Sequence, residues 1–196
     1  MIFKTPEKLV VLEENYNIMQ NECLHLPKKF IQNDQREQGE WVDSNKLLKI
    51  VKKYETDHGW LKSWQDDGNT WISWPIIYNG IPILNNCKYC PKTLELLSNI
   101  KGIRVAAFNK LLPMTCLDIH TDDNTGLTSN SVAYNLGLDV PEDCHLYLRE
   151  TKIVIKNGKS ITFDSTFPHY ADNNSEKDRY ILYMDVGITD EEMTLL

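Results

Sequence analysis

Two histidines and an aspartate have the residue types and spacing of a metal site. His120 and Asp122 form an H-x-D pair between an apolar run and a polar loop, and His169 follows the later run ITFDSTF. In an extended strand, residues i and i+2 face the same way, so one imidazole and one carboxylate can reach a single ion. Two imidazoles and one carboxylate form the facial triad of non-haem Fe(II) oxygenases, which leaves coordination positions open. Because the chain has five histidines, an accidental arrangement is the alternative.

Arg179 adds a cation to this set. It opens the run RYILYMDV, in which both alternating sets of residues carry apolar bulk. An arginine on such a strand is costly to bury unless it meets an anion. A guanidinium can hold a carboxylate through two parallel hydrogen bonds, as a dicarboxylic acid co-substrate would require. An internal salt bridge with an Asp or Glu is the alternative.

Short β-rich runs follow from about residue 100 and would have to position these side chains. Six runs predict strands: Ile103 to Phe108, Met114 to Ile119, Val132 to Leu138, His145 to Leu148, Lys152 to Lys156 and Tyr180 to Val186. Asn157-Gly158, between IVIK and KSITF, predicts a hairpin. Many short strands with dense turns indicate an antiparallel sandwich or barrel.

The first third of the chain reads as helical. A helix is predicted over residues 44–55, after the capping types Asp43 and Ser44, because its apolar residues have helical spacing. The polar stretch from Gln32 to Glu40 predicts an exposed loop. A further helix is predicted over Pro91 to Ser98, with proline in its first turn. We expect one α+β domain over residues 1–196.

Composition and charge argue against a nucleic-acid-binding, membrane-spanning or secreted protein. The chain has 21 Lys and Arg against 28 Asp and Glu, a net charge of −7, which disfavours a nucleic-acid partner. The sequence shows neither a membrane span nor a secretion signal. Five cysteines, an odd number, predict a reduced, cytoplasmic protein. The lone pair Cys87-x-x-Cys90 is a weak zinc motif, and a structural role is the simpler interpretation.

Six motifs, in this order, resemble the aspartyl/asparaginyl β-hydroxylase family. They cover roughly residues 68–187 and read GNTWISWPIIYNG, CKYCPKTLELLSNI, VAAFNKLLPMTCLDIHTD, NLGLDVPEDCHLYL, ITFDSTFPHYADNN and DRYILYMDV. The resemblance implies a double-stranded β-helix, a jelly-roll or cupin-like core, over residues 68–187. Residues 1–60 would form a mostly helical extension packed on that core.

The resemblance also implies an activity. The family uses Fe(II) and 2-oxoglutarate with dioxygen, so we expect a dioxygenase that hydroxylates a C–H bond. The expected substrate is an Asp- or Asn-type residue in a peptide, a related amino acid or another small molecule. Two alternatives are a non-catalytic metal- or small-ligand-binding sandwich and a cupin-type metalloenzyme that does not use 2-oxoglutarate.

Position by position, the resemblance assigns roles to particular residues. His120 and His169 would bind iron, and Arg179 would bind the far carboxylate of 2-oxoglutarate. Asn109 stands where the family often has a serine that helps to hold the co-substrate. Asp164 matches an acidic residue that would support the loop bearing His169.

Two positions depart from the best-known animal member of the family. That member has glycine where this chain has Asp122, so this chain keeps a full triad of His120, Asp122 and His169. That member also has Arg-x-His where this chain has Ala133, Tyr134 and Asn135. Asn135 can still donate a hydrogen bond to the co-substrate, but the arginine is lost.

Further side chains are candidates for substrate contact. The nearby tryptophans predict core packing, with a substrate-facing wall as the alternative: Trp60, Trp64, Trp71 and Trp74. The other candidates are Tyr170, Arg104 and Arg149.

Overall fold

The computed structural model describes residues 1–31, 51–62, 70–122 and 131–192. The predicted loop at residues 32–40, most of the predicted helix at 44–55 and Trp64 lie outside these ranges. Residues 51–53 are helical. The helices are α1 (Glu7–Glu14), α2 (Tyr16–Leu24), α3 (Leu84–Cys87) and α4 (Pro91–Ser98).

Twelve strands are present in the described residues. In chain order they are β1 (Ile2–Phe3), β2 (Leu61–Lys62), β3 (Trp71–Tyr78), β4 (Ile81–Pro82), β5 (Ile103–Leu111), β6 (Thr115–Cys116), β7 (Ser131–Asp139), β8 (Cys144–Leu148), β9 (Thr151–Val154), β10 (Ser160–Phe163), β11 (His169–Asn173) and β12 (Arg179–Gly187). The larger sheet has the order β1-β10-β7-β12-β5-β3-β2, with β4 on β3, and the smaller sheet has the order β6-β11-β8-β9. All these strand pairs are antiparallel.

Strand β12 shows how the larger sheet separates two cores. Leu182 and Met184 belong to the core that the sheet forms with α1, α2 and α4. Ile181 and Tyr183 face the other way, into a second core shared with residues of the smaller sheet. We call the face of the larger sheet that looks toward the smaller sheet its inner face. The molecule is therefore an α+β double-stranded β-helix with helices packed on its outside, as predicted.

The Asn157-Gly158 hairpin prediction is wrong. Strand β9 pairs with β8, whereas β10 pairs with β7 and β1, so this turn carries the chain from one sheet to the other. The turn docks on Gly137, whose carbonyl accepts a 2.9 Å hydrogen bond from the N–H of Gly158. A Cβ at Gly137 would lie only 2.2 Å from the carbonyl oxygen of Lys156.

Of three further elements, one helix matches the prediction and two segments differ from it. The run from Met114 to Ile119 contributes only the two-residue strand β6, whereas the helix over Pro91–Ser98 is confirmed. The N-terminal extension contributes β1 to the larger sheet, which the helical prediction did not include. Within the described ranges, no helix has the length and apolarity needed to cross a bilayer.

Candidate active site

The three predicted metal ligands converge. One ligand atom from each of His120, Asp122 and His169 lies within 4.8 Å of the others. Nε2 of His169 lies 3.8 Å from Oδ2 of Asp122. The two imidazole rings are 4.4 Å apart between centroids. A single ion can therefore contact all three side chains.

Backbone hydrogen bonds place these ligands. His120 and His169 form an antiparallel bridge in which each backbone N–H donates to the other's carbonyl, at 3.0 and 2.9 Å. The backbone N–H of Asp122 donates to the carbonyl of Ser165 at 3.0 Å. Directly opposed residues of an antiparallel pair carry their side chains on the same face, so the backbone pairing itself brings the imidazoles together.

Both histidines are held in the tautomer that a metal requires. Nδ1 of His120 lies 2.7 Å from the carbonyl oxygen of Asp118, and Nδ1 of His169 lies 2.9 Å from that of Phe167. Since a carbonyl oxygen can only accept, each Nδ1 carries the proton and each Nε2 keeps its lone pair. Burial lowers the pKa of His169, an effect that the Asp122 carboxylate opposes and His120 reinforces. The neutral, ligating form is thus favoured.

Asp164 shapes the turn that leads to His169. One carboxylate oxygen accepts hydrogen bonds from the backbone N–H of Thr166 at 3.1 Å and from its hydroxyl at 2.6 Å. The backbone N–H of Asp164 donates to the carbonyl of Met1 at 3.0 Å. These hydrogen bonds agree with the predicted support of the His169 loop by Asp164, which stays a prediction.

Arg179 is a buried cation without an anionic partner in the described ranges. Its side chain is 1% exposed, and neither Nε nor Nη1 has a hydrogen-bond partner there. The nearest ring is that of Trp71, whose centroid is 5.5 Å from Cζ. Burial lowers the pKa of Arg179 to about 10, while the charges of Cys144 and Asp172 act in the opposite direction. No internal salt bridge of Arg179 forms among these residues, so the site is suited to an incoming anion.

The two predicted co-substrate amides lie between Arg179 and the metal ligands. Asn109 pairs in register with Ile181, and Asn135 pairs with Tyr183, so both amides share the inner face with Arg179. Both side chains are buried, and both Oδ1 atoms lack hydrogen-bond partners among the described residues. A polar path therefore runs along β12 from Arg179 toward the triad.

Sequence reasoning missed three residues around this path. Tyr183 lies near Asp122; burial raises the pKa of Tyr183 well above the ordinary value, and the charges of Asp122 and Asp185 add to the rise. Nδ2 of Asn173 donates to the carbonyls of Leu111, Leu112 and Lys177 and so anchors the turn before Arg179. Asp185, on the same face as Arg179 and Tyr183, is 1% exposed, and neither carboxylate oxygen has a hydrogen-bond partner in the described part of the chain. For Tyr183 and Asp185, the polar residues of one alternating set in RYILYMDV were a signal too weak to decide which set faces the smaller sheet, because both sets carry apolar bulk.

Other predicted residues lie elsewhere. Tyr170 points away from the triad, on the outer face of the smaller sheet, where its ring stacks on Tyr147 with centroids 4.3 Å apart. Arg149 covers the ring of Phe167, with Cζ 3.7 Å from the ring centroid. Arg104 lies close enough to Asp185 to lower its pKa.

The remaining tryptophans and the cysteine pair belong to the helix-covered core. Trp60, Trp74, Cys87 and Cys90 are all buried there, which agrees with the structural interpretation. Burial raises the pKa of Cys87 to about 11, so this thiol is protonated at neutral pH.

Comparison with known proteins supplies a family. The family model described as "Aspartyl/Asparaginyl beta-hydroxylase" matches residues 13–187. Aspartate beta-hydroxylase domain-containing protein 2 of Xenopus tropicalis is 26% identical over 145 residues, which cover 70% of this chain and 38% of that protein. The ornithine lipid ester-linked acyl 2-hydroxylase of Rhizobium tropici is 30% identical over 118 residues, which cover 59% of this chain and 41% of that protein.

The match with these relatives is partial. This chain spans less than half the length of either protein. Among solved structures, an oxidoreductase of the 2OG-Fe(II) oxygenase family from Burkholderia pseudomallei matches with a TM-score of 0.46 and 12% identity, covering 74% of this chain and 79% of that one.

Proposed function

We propose, on the premise that the chain belongs to the aspartyl/asparaginyl β-hydroxylase family, that it is a dioxygenase dependent on Fe(II) and 2-oxoglutarate. The reaction would hydroxylate a C–H bond of the substrate. The observation that carries the proposal is the buried Arg179 guanidinium, whose Nε and Nη1 have no partner among the described residues; it lies on the inner face of the larger sheet, whereas His169 lies on the smaller sheet that this face looks toward. A metal site alone would not need such a cation.

His120, Asp122 and His169 would hold the iron. Two neutral imidazoles and one carboxylate suit Fe(II) and leave positions for other ligands. When bound, the iron would supply the activation of dioxygen, with 2-oxoglutarate oxidised to succinate and carbon dioxide and one oxygen atom inserted into the substrate. The Tyr183 hydroxyl, which lies near Asp122, would orient that carboxylate, and the carbonyls of Asp118 and Phe167 fix the two imidazoles.

Arg179, Asn109 and Asn135 would hold 2-oxoglutarate. The guanidinium would grip the far carboxylate, which replaces the missing anion and satisfies Nε and Nη1. Four residues of extended strand span about 13 Å, so the path from Arg179 to Tyr183 has room for a five-carbon diacid between two side chains. The amides of Asn109 and Asn135 line this path and would orient the diacid.

The substrate is proposed at the level of chemical class. The description of the family favours an Asp- or Asn-type residue in a peptide, or a related amino acid, as the proposed substrate. The name of the Rhizobium tropici relative points instead to an acyl chain of an ornithine lipid, so lipids belong among the compounds to be screened. A reducing, cytoplasmic location stays a prediction from the cysteine content.

The proposal is tested by the visible charge-transfer band of the Fe(II)–2-oxoglutarate chelate. We expect a band in anaerobic protein that requires both additions. His169→Ala removes one ligand and should abolish the band, whereas Tyr170→Phe, a neighbouring change on the outer face, should leave it intact. A well-folded wild-type protein that shows no band would refute the oxygenase function and favour a cupin-type or non-catalytic metal site.

A further inference from the structure

Asp185 is a buried carboxylate that the proposed function does not use. Its side chain is 1% exposed, and both oxygens lack hydrogen-bond partners among the described residues. The Arg104 guanidinium and the Ser131 hydroxyl are near enough to lower its pKa, but burial outweighs them and raises the pKa to about 6. Buried carboxylates are ordinarily paired or hydrogen-bonded, so this group is poised for a partner from outside.

Asp185 and Arg179 place opposite charges at the two ends of one strand inside the barrel. Arg179, Tyr183 and Asp185 lie on one face of β12, and Tyr183 lies near Asp122, one of the three proposed metal ligands. The metal site therefore lies between a buried cation and a buried anion on one strand. The charge of Asp122 also raises the pKa of Asp185, which places the two carboxylates in the same interior.

The surroundings of Asp185 leave room and access for a ligand. Its cross-strand neighbours on the inner face are Ala133 and Val105. Ala133 presents only a methyl group, and Val105 is half-buried rather than enclosed. Tyr183, two residues along the strand, is also half-buried. Solvent thus reaches the residues beside Asp185 at the end of β12 opposite Arg179.

We propose that Asp185 binds a positively charged group of the substrate, an ammonium or guanidinium, and so selects cationic substrates. This inference rests on the proposed function, because it takes the triad as the reaction centre. Arg179 holds the anionic co-substrate on one side of the metal, and Asp185 holds the cationic substrate on the other. Two residues of strand span about 7 Å, so the charged group sits only a few bonds from the carbon that reacts. The cation is either the α-ammonium of a free amino acid or the charged end of a basic side chain.

Three probes distinguish these sources: L-asparagine amide, with an α-ammonium; Nα-acetyl-L-lysine amide, with a side-chain ammonium; and Nα-acetyl-L-asparagine amide, which is neutral. Their dissociation constants are measured by ligand-observed NMR on the full chain with Zn(II) and 2-oxoglutarate present. We expect at least one ammonium probe to bind ten-fold or more tightly than the neutral probe. Asp185→Asn keeps the shape and removes the charge, and should reduce this preference to less than three-fold.

Asp139→Asn is the matched control. Asp139 ends the neighbouring strand β7, and its charge raises the pKa of Cys23 in the helix-covered core, so it lies away from the inner face. This variant should keep the preference for the charged probe. Equal binding of charged and neutral probes by the wild-type protein, or a preference that survives Asp185→Asn, overturns the inference.

Stability separates recognition from a structural role. If Asp185 awaits a substrate cation, Asp185→Asn removes a buried unsatisfied charge and should raise the Tm of the unliganded protein by a few degrees. A lower Tm would show that Asp185 serves an internal partner, and the inference would fail. The chelate band of the wild-type protein is recorded alongside. A band without charge preference overturns only this inference, whereas charge preference without a band overturns the oxygenase function and leaves Asp185 as a cation site.

Discussion

Arg179 and Trp71 lie side by side inside the barrel, with Cζ 5.5 Å from the ring centroid. A cation–π contact at this distance supplies about 1–2 kcal/mol when it is desolvated. Burial of a guanidinium costs several kcal/mol, even after relaxation of the surrounding protein. Burial of the guanidinium therefore costs more than the cation–π contact returns, and pairing with a bound carboxylate would remove this unfavourable difference.

Replacing Arg179 by Met should therefore separate binding from stability. We expect the affinity for 2-oxoglutarate to fall at least 100-fold, because two charge-assisted hydrogen bonds are lost. The free energy of unfolding of the unliganded protein should stay the same or rise by about 1–3 kcal/mol. Calorimetric titration and denaturant unfolding measure the two quantities. Arg179→Lys keeps the charge without the planar fork and should bind at an intermediate level; wild-type affinity in the Met variant would exclude Arg179 as the anchor.

Tyr183→Phe tests whether the hydroxyl holds Asp122 in place. We expect the Tyr183 hydroxyl, which lies near Asp122, to orient this carboxylate when the metal is bound. Loss of such a partner of a metal ligand typically lowers metal affinity by 10- to 100-fold, so we expect a fall of about ten-fold in Fe(II) affinity. Anaerobic titration with Fe(II) measures it, with Tyr170→Phe as the control on the outer face. Unchanged affinity would mean that Asp122 is oriented without Tyr183.

At the scale of elements, the junction between the two sheets depends on one glycine. Gly137 accommodates the Asn157-Gly158 turn because it has no side chain, and an added Cβ would lie 2.2 Å from a backbone oxygen. Backbone atoms cannot swing aside as a flexible side chain can. Gly137→Ala should therefore lower the free energy of unfolding by about 2–4 kcal/mol.

Gly80→Ala provides the comparison for Gly137→Ala. Gly80 has φ +74, and its nearest atom to an added Cβ lies at 3.6 Å, so only the backbone strain of about 1–2 kcal/mol applies. Urea unfolding of both variants measures the difference. Similar losses in the two variants would show that the turn moves away from β7 at little cost.

The same junction shows what the sequence could and could not predict. An Asn-Gly pair between two β-rich runs has the local chemistry of a hairpin, and Gly158 does take a positive φ of 69°. Whether the flanking strands pair with each other depends on their other partners: β9 pairs with the preceding strand β8, and β10 pairs with β7, which is distant in sequence and not encoded by local patterns. The real hairpin between β8 and β9 turns at Arg149, which takes a φ of 53° without being glycine, so its turn carried no signal.

In the candidate site, residues whose side chains have uncommon chemistry could be predicted from the sequence. Residues that matter only because of the face of the strand on which they lie could not. His120, Asp122, His169 and Arg179 could be found because few other residue types do what they do. Tyr183 and Asp185 could not, because both alternating sets of β12 are apolar enough to face a core. The structure shows two cores, one on each face of the larger sheet, and only this arrangement reveals which set of β12 residues faces the smaller sheet.

At the scale of the whole molecule, Asp185 should make the free energy of unfolding depend on pH. Its pKa is raised from 3.8 to about 6, so the folded protein keeps this proton at pH values where the unfolded chain has lost it. Its contribution is therefore most favourable below pH 3.8 and declines as pH rises to about 6. At 1.36 kcal/mol per pKa unit, the decline is up to about 3 kcal/mol.

Urea unfolding from pH 4 to 7 measures this contribution as the difference between the wild-type protein and Asp185→Asn. We expect the difference to shift in favour of the Asn variant as pH rises. A flat difference for Asp185→Asn would contradict the raised pKa.

The mutual backbone pairing of His120 and His169 has a consequence for engineering. Because main-chain hydrogen bonds rather than the imidazoles hold these two positions opposite each other, other side chains placed there should remain opposed. Exchanging either position for Cys or Asp would then offer a different set of donor atoms on two backbone positions whose separation is unchanged. Substitutions at these two positions should therefore change which metal the site prefers, while the fold of the barrel stays the same.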